Sequence, residues 1–290
     1  MELSDVSSWF QSKGWEAFEF QKRAWKNYAN GEFGIVNTPT GSGKTYSLLI
    51  PVLLDISNGG KSGLQAIWVT PIRALAKEIL QSGQRATDGM KLDVTIEIRT
   101  GDTSAKDKAR IKKSPPNILI TTPESLHVML SQKHYDKYFS NLKAVIIDEW
   151  HDLIGSKRGV QMELALSKFK VLSPSLKIWG ISATIGNMEE SLKVLLGDWY
   201  NSKPHQIIRS DIKKKYEVES IYPDDVDELP WAGHLGIKLI EKAIPILLKS
   251  ESTLIFLNTR GQAEIWYQKL LEVSPDFAGV VAIHHGSMSR

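Results

Sequence analysis

Residues 34–45 read Gly-Ile-Val-Asn-Thr-Pro-Thr-Gly-Ser-Gly-Lys-Thr. Gly41 and Gly43 allow the backbone to curl so that successive N–H groups point inward. Lys44 follows at once, within reach of a β- or γ-phosphate, and Thr45 offers a hydroxyl suited to Mg²⁺. Thr38, Pro39, Thr40, Gly41, Ser42, Gly43, Lys44 and Thr45 are therefore candidates for a phosphate-binding loop. The generic pattern has Gly where this chain has Thr38, and a chance Gly-x-Gly-Lys-Thr in a loop is the competing reading. A strand before the loop and a helix after it argue against chance.

A second constellation lies about a hundred residues on. Val145-Ile-Ile-Asp-Glu-Trp-His151 puts Asp148 and Glu149 at the end of an apolar strand. A P-loop ATPase needs one carboxylate on Mg²⁺ and a second group that positions the attacking water. Neighbouring residues at a strand end diverge, which suits two separate tasks. The same divergence argues against a glycosidase pair, whose carboxyls face one bond. Taken alone, the pair also reads as solvated acids at a strand end. His151 has no second metal ligand at i+4, and the chain contains no cysteine, so zinc ligation by any of its seven histidines is not expected.

Something must hold these residues in place. Strands are expected at Gly34–Asn37, Gln65–Thr70, Val94–Arg99, Asn117–Thr121, Lys143–Asp148 and Lys177–Ser182, each apolar on both faces or nearly so. Helices are expected at Glu16–Ala29, Lys44–Ile56, Ala74–Ala86, Glu124–Ser131, Gln161–Leu172 and Glu189–Leu196. Strand-then-helix alternation with fully apolar strands implies a doubly wound parallel α/β sheet covered on both sides. Residues 203–233 break the rhythm with Pro204, Pro223 and Pro230, the basic run Lys213–Lys215 and the acids Asp224, Asp225, Asp227 and Glu228. They read as a linker holding a strand or two. A second rhythm follows: helix Leu235–Leu248, strand Thr253–Leu257, helix Gln262–Leu271, strand Val280–Ile283. The expected organisation is a first domain over 1–205, a linker over 206–233 and the start of a second domain over 234–290.

Composition narrows the class. The 290 residues are 42% apolar and 24% charged, with a net charge of only +3. Any nucleic-acid site is then a local patch rather than a global field. The absence of cysteine excludes disulfide scaffolds, iron–sulfur clusters and cysteine nucleophiles. The acidic start, MELSDVSSWF, does not look like a signal peptide, and no apolar run approaches the roughly 20 residues of a membrane span. A cytoplasmic protein is the expectation.

Taken in order, the motifs resemble those of superfamily 2 helicases. Phe18-Glu-Phe-Gln21 resembles the adenine-reading glutamine motif, and Thr38–Thr45 the helicase form of the Walker A loop, in which Thr38 is ordinary. Thr70–Leu75 resembles motif Ia, Thr100-Gly101 motif Ic, and Thr122–Leu126 motif Ib. Asp148-Glu-Trp-His151 resembles a DExH box, and Ser182-Ala183-Thr184 motif III. Leu254–Arg260 resembles motif IV, and His284-His-Gly-Ser287 the motif after it. The versions Pro-Glu-Ser-Leu, Asp-Glu-Trp-His and His-His-Gly-Ser are most similar to Lhr-type enzymes, in particular ligase-associated DExH-box helicases.

The resemblance implies two RecA-like domains and an ATP-dependent helicase or translocase on single-stranded nucleic acid, mainly DNA, with a link to repair and to ligase and nuclease partners. RNA is the alternative substrate within the superfamily. By the same resemblance Lys44, Asp148 and Glu149 are catalytic, with Thr45 and Asp148 holding Mg²⁺, the latter through water. Gln21 reads adenine, with Phe18 or Trp15 stacked on the ring. His151, Ser182, Ala183 and Thr184 couple the nucleotide to the second domain. Pro71, Arg73, Thr100, Gly101, Thr122, Pro123, Glu124, Ser125, Arg260, His285 and Gly286 touch nucleic acid. The family's Gln-x-x-Gly-Arg-x-Gly-Arg run does not occur in these residues, so the chain reads as a fragment of a longer protein, weakly active by itself.

Other residues have plainer readings. The run Lys106, Lys108, Arg110, Lys112, Lys113 reads first as a solvated helix face. Trp9, Trp15 and Trp25 fit packing better than base stacking, and Trp150 fits under the site. Two competing functions stay open: a small-molecule P-loop kinase or metabolic ATPase, and a nucleic-acid clamp that binds ATP without efficient hydrolysis.

Overall fold

A computed structural model describes residues 3–60, 63–183, 186–212, 217–223 and 236–284. They form two compact units, divided at residue 213.

The first unit is built on seven parallel strands: β1 (Phe33–Asn37), β2 (Ala66–Val69), β3 (Ile96–Arg99), β4 (Ile118–Thr121), β5 (Ala144–Ile147), β6 (Lys177–Ser182) and β7 (His205–Arg209). Their order across the sheet is β3-β4-β2-β5-β6-β1-β7. All six expected strands are present. Successive residues of a strand face opposite sides, so an unbroken apolar run serves two cores at once. Trp68, Ile120, Ile146, Trp179 and Ile181 enter one core, while Ile67, Leu119, Val145, Ile147 and Ile178 enter the other. The first core is closed by α1 (Leu3–Ser12), α2 (Glu19–Ala29), α3 (Lys44–Gly59) and α4 (Arg73–Met90). The second is closed by α5 (Ala105–Lys113), α6 (Pro123–Leu130), α7 (Tyr135–Tyr138), α8 (Trp150–Leu153), α9 (Lys157–Leu172) and α10 (Met188–Leu196).

Gly34 shows how tightly β1 is held in the sheet. A Cβ there would lie 2.1 Å from the Gln206 carbonyl oxygen and 2.9 Å from the Trp179 ring. The tryptophans behave as packing residues: Trp9, Trp25 and Trp150 are buried, while Trp15 is 39% exposed at the edge of a cluster with Trp9, Phe10 and Tyr46.

The structure corrects the sequence reading in two places. The first unit does not stop at 205, because β7 pairs in parallel with β1 from Phe33–His205 to Asn37–Arg209. The Pro and charge content around it hides one short apolar pair, Ile207-Ile208, of which Ile208 is fully buried. The second correction lies in the second unit, where Thr253–Leu257 and Val280–Ile283 were expected as strands. Neither makes a ladder among the described residues. Leu254 and Phe256 are 81% and 88% exposed, so apolar sequence is present without the neighbouring strands that would bury it. That unit holds α11 (Ile240–Lys249) and α12 (Arg260–Val273) around a small core of Ile240, Leu270 and Phe277.

Candidate functional site

In an open parallel sheet the loops at the carboxyl ends of the strands gather along one edge, where ligands bind. The strand order divides that edge. β5, β6 and β1 carry Asp148-Glu149, Ser182-Ala183 and the phosphate loop on adjacent strands. β3, β4 and β2 carry Thr100-Gly101, Thr122–Ser125 and Pro71–Arg73, again on adjacent strands.

The phosphate loop depends on glycine. Gly41 and Gly43 sit at φ +77° and +75°, in the left-handed region where other residues are strained. Gly43 caps α3, so the first free N–H groups of a 16-residue helix face the loop, with Lys44 and Thr45 in its first turn. The Thr38 hydroxyl donates to Ser42 Oγ at 2.7 Å, and the Thr38 N–H donates to the Ser182 carbonyl at 3.0 Å. A glycine at 38 would lack the first bond, so Thr38 braces the loop rather than spoiling it.

The acidic strand end meets this loop. The Lys44 ammonium donates to Glu149 Oε1, and both side chains are nearly buried, 12% and 11% exposed. Glu149 sits at φ +48°, a sharp turn out of β5 that separates its carboxylate from that of Asp148. Its other oxygen, Oε2, is buried without a hydrogen-bond partner, with His151 Nδ1 at 3.5 Å. Asp148 accepts from the Glu149 N–H at 2.9 Å. Burial first, then the Glu149 charge, push its carboxyl up to about 6 against the pull of Lys44. A buried carboxylate beside an unpartnered carboxylate oxygen is chemistry that suits a divalent cation.

Ser182 connects the parts. Its hydroxyl lies 3.2 Å from His151 Nδ1, its carbonyl takes the Thr38 N–H, and Asn37 Nδ2 donates to the Ala183 carbonyl at 3.0 Å. Phosphate loop, DExH turn and β6 end are thus joined by hydrogen bonds. Thr184 lies outside the described residues.

Gln21 is buried and ties α2 to the loop. Its Nε2 donates to the Gly43 carbonyl at 2.9 Å, and its Oε1 accepts the Phe18 N–H at 2.9 Å. Phe18 is 47% exposed and leans on Phe20, whereas Trp15 is committed to its aromatic cluster. Phe18 is the freer ring for stacking.

On the other half of the edge, Pro71, Thr100, Thr122 and Pro123 are buried and shape the loops, Ser125 is half-buried, and Arg73, Gly101 and Glu124 are exposed. Arg73 pairs with Asp102 and lies over Gly101, where a Cβ would come within 2.9 Å of its Nη2. Arg158 joins two loops: it donates to Glu124 Oε1 at 2.6 Å and to the Pro71 carbonyl at 2.8 Å. Burial raises the Glu124 carboxyl, but Arg158, backbone N–H and the Thr122 hydroxyl together outweigh it and hold the group below its ordinary range.

Asn37 and Arg158 were not singled out from the sequence, and Asp102 only as the end of the loop Thr100–Asp102. Asn37 could have been, as the last strand residue before the loop. Arg158 could not, since its contact with Glu124 spans 34 residues. Arg260 opens α12 in the second unit behind an N-cap at Thr259. His285 and Gly286 lie outside the described residues. Among the described residues no helix is long and apolar enough to cross a membrane.

This arrangement, a RecA-like parallel sheet with a glycine phosphate loop meeting a DExH turn, is that of a nucleotide-dependent helicase core. The chain belongs to the DEAD/DEAH box helicase family, whose pattern matches residues 18–191. It is 32% identical to the ATP-dependent helicase Lhr-Core protein 2 of Thermococcus barophilus, over 98% of this chain and 35% of that one. It is 30% identical to the Lhr helicase/uracil glycosylase of Escherichia coli K12, over 99% and 21%. The structure of the Mycobacterium smegmatis helicase Lhr bound to ssDNA and AMP-PNP superposes with a TM-score of 0.79 at 26% identity, covering 98% of this chain and 38% of that one. The chain thus spans about a third or less of the length of these curated relatives.

Proposed function

We propose that this chain is the nucleotide-binding part of an ATP-driven translocase of the Lhr type acting on single-stranded nucleic acid, DNA before RNA. One observation carries the reading. The Lys44–Glu149 pair brings a phosphate-binding cation and a water-positioning carboxylate together from separate strands in a nearly dry site. The likeness to the ssDNA-bound, AMP-PNP-bound Lhr structure supports both ligands.

ATP enters with its phosphates against the N–H groups of residues 41–45, and Lys44 leaves Glu149 for the β- and γ-phosphates. Mg²⁺, when bound, neutralises charge on those phosphates, and Thr45 and Asp148 are the residues to hold it. Released from Lys44, Glu149 positions the attacking water. His151 is positioned to respond to that change, because its Nδ1 lies 3.5 Å from Glu149 Oε2 and 3.2 Å from the Ser182 hydroxyl. Gln21 is placed to read adenine. On the other half of the edge, Arg73, Gly101 and Ser125 give cationic and small-residue contacts without base-edge readers, as sequence-blind grip on a backbone requires.

We assign residues 234–290 to the beginning of a second RecA-like domain, with Arg260 and the His285-Gly286 segment on its nucleic-acid side; the similarity to the Thermococcus relative, which spans 98% of this chain, supports a continuation past the first unit. No Gly-Arg-x-Gly-Arg run occurs within the 290 residues, so the arginine that would stabilise γ-phosphoryl charge is not supplied by that motif. The 290-residue polypeptide alone should bind ATP and turn it over slowly. A place in DNA repair beside a ligase and a nuclease is the finer reading that the motif versions suggest.

Steady-state ATPase of this polypeptide and of a longer one, each with and without single-stranded DNA and with Mg²⁺ chelated, tests the proposal. Expected are strict Mg²⁺ dependence and DNA stimulation in the longer chain. ATPase indifferent to nucleic acid in both would favour a metabolic ATPase, and RNA outcompeting DNA would move the substrate.

A further inference from the structure

Five cations line a single cavity of about 440 Å³ at the β3 side of the sheet: Arg99, Lys112, Lys113, Lys133 and Lys137. His134 stands among them, and no Asp or Glu is found among the described lining residues. A chain of net charge +3 has gathered five formal positive charges at one concavity. None of the phosphate-loop or DExH residues lines it.

Arg99 is the informative member. It ends β3 and is only 6% exposed, yet it is in no ion pair with a described carboxylate. The nearby acid Glu97 is taken by Arg110 in a two-pronged contact of 2.5 and 2.7 Å. Desolvation lowers the Arg99 pKa, and its neighbour Tyr138, a neutral phenol, only partly opposes this. A buried cation without a counter-ion is costly, and a group that is held there in spite of this suits an anion from outside. α5 and α6 both end at the cavity, and each helix end offers at most about half a negative charge, against five formal cations of which Arg99 alone is buried.

The rest of the lining mixes an apolar or flat wall, Leu64, Pro115, Met129 and the Tyr135 ring, with the polar side chains of Gln132, Tyr138 and Asn141. The volume falls within the roughly 300–1,000 Å³ of small-ligand sites. We propose that this cavity binds a phosphomonoester carried on a nucleoside-sized body, as a free nucleoside monophosphate or as the phosphorylated end of a strand, separately from the phosphate loop. Arg99 and the lysines take the phosphate, and the apolar wall takes the base or sugar.

The test is calorimetric titration of AMP into the 290-residue chain carrying Lys44→Ala, which disables the phosphate loop. AMP should bind saturably, adenosine should not, and binding should weaken at least about tenfold in Lys112→Gln/Lys133→Gln and in Arg99→Gln, as loss of charge-assisted hydrogen bonds predicts. Lys112 and Lys133 are exposed, so the double variant decides if Arg99→Gln fails to fold. A 5′-phosphorylated trinucleotide that binds tighter than AMP assigns the site to strand ends; one that binds more weakly assigns it to free nucleotide. Adenosine binding as well as AMP, or affinity that survives the double lysine variant, overturns the proposal.

Discussion

The two halves of the sheet's carboxyl edge are built to opposite specifications. In the half on β5, β6 and β1, Asp148 and Glu149 are 4% and 8% exposed, and Lys44 and Glu149 pair almost out of water. In the half on β3, β4 and β2, the Arg73–Asp102 side chains are 59% and 69% exposed, and Arg158–Glu124 38% and 52%. Coulomb interactions are several-fold stronger in the first environment than in the second. A step that breaks one bond needs groups fixed beforehand at low dielectric. A grip that must let go at every step is better made from weak, solvated contacts. One sheet can offer both environments because neighbouring strands differ only in the loops they end in.

If that contrast is right, the largest loss should come from the dry half. Glu149→Gln keeps the shape of the side chain but removes the charge proposed to position water. Expected is a fall in kcat of about 10²–10⁴-fold, the range for a lost general base, with ATP affinity unchanged or slightly raised because Lys44 no longer has a competing partner. Single-turnover hydrolysis and nucleotide titration check it. A normal kcat would remove Glu149 from the chemistry.

Asp148→Asn sharpens the comparison by separating stability from activity. The carboxyl titrates near 6 in the folded chain against 3.8 as its ordinary value, so the folded state holds the proton more tightly. Stability from this group is full below about 3.8 and is lost as pH rises through about 6. Above that pH the buried charge costs on the order of 3 kcal/mol at most, at about 1.4 kcal/mol per pKa unit. Asp148→Asn should therefore raise the Tm of the nucleotide-free chain at pH 7.5, match it near pH 4, and abolish Mg²⁺-dependent turnover. An unchanged Tm at pH 7.5 would mean that the charge is compensated.

Lys44→Ala should weaken ATP binding by about 10–100-fold, the worth of one or two charged hydrogen bonds. Fluorescent-nucleotide titration reads it. Undiminished affinity would take the loop out of the nucleotide site.

Both halves were partly legible in the sequence, for different reasons. The dry half is local: Gly41, Gly43, Lys44 and Thr45 fall within five residues, and Asp148-Glu149 follow an unmistakable apolar strand. What escaped there is what links segments, such as Asn37 holding the Ala183 carbonyl. The wet half was placed by motif resemblance, but its bracing residue, Arg158, reaches across 34 positions and leaves no local pattern. β7 was half seen, because its edge position leaves only Ile208 to be fully buried among prolines and charges. The expected strands of the second unit fail for the complementary reason. Thr253–Leu257 has strand-like residues, but a strand is defined by its neighbours, and among the described residues it has none.

The smallest effect should come from the wet half. Arg73 is exposed, its partner Asp102 is exposed, and their pair is of the kind worth about 0–1 kcal/mol. Arg73→Ala should leave the fold and the basal ATPase intact. It removes one cation from the loops of β2 and β3, so affinity for single-stranded DNA should fall only a few-fold, equally for different sequences. If Arg73 contacts a phosphate, the slope of log affinity against log salt should shrink by roughly 0.7, the value for one contact on a single strand. Arg158→Ala is the contrasting variant. It frees the Glu124 carboxylate and the Pro71 carbonyl together, adding an unpaired negative charge where phosphate should pass. Its loss of affinity should exceed that of Arg73→Ala although Arg158 is the less exposed of the two, and Glu124→Gln should restore much of it. Equal losses in both single variants, with no rescue, would mean that the wet half works by counting cations alone and that the Arg158 brace has no part in it.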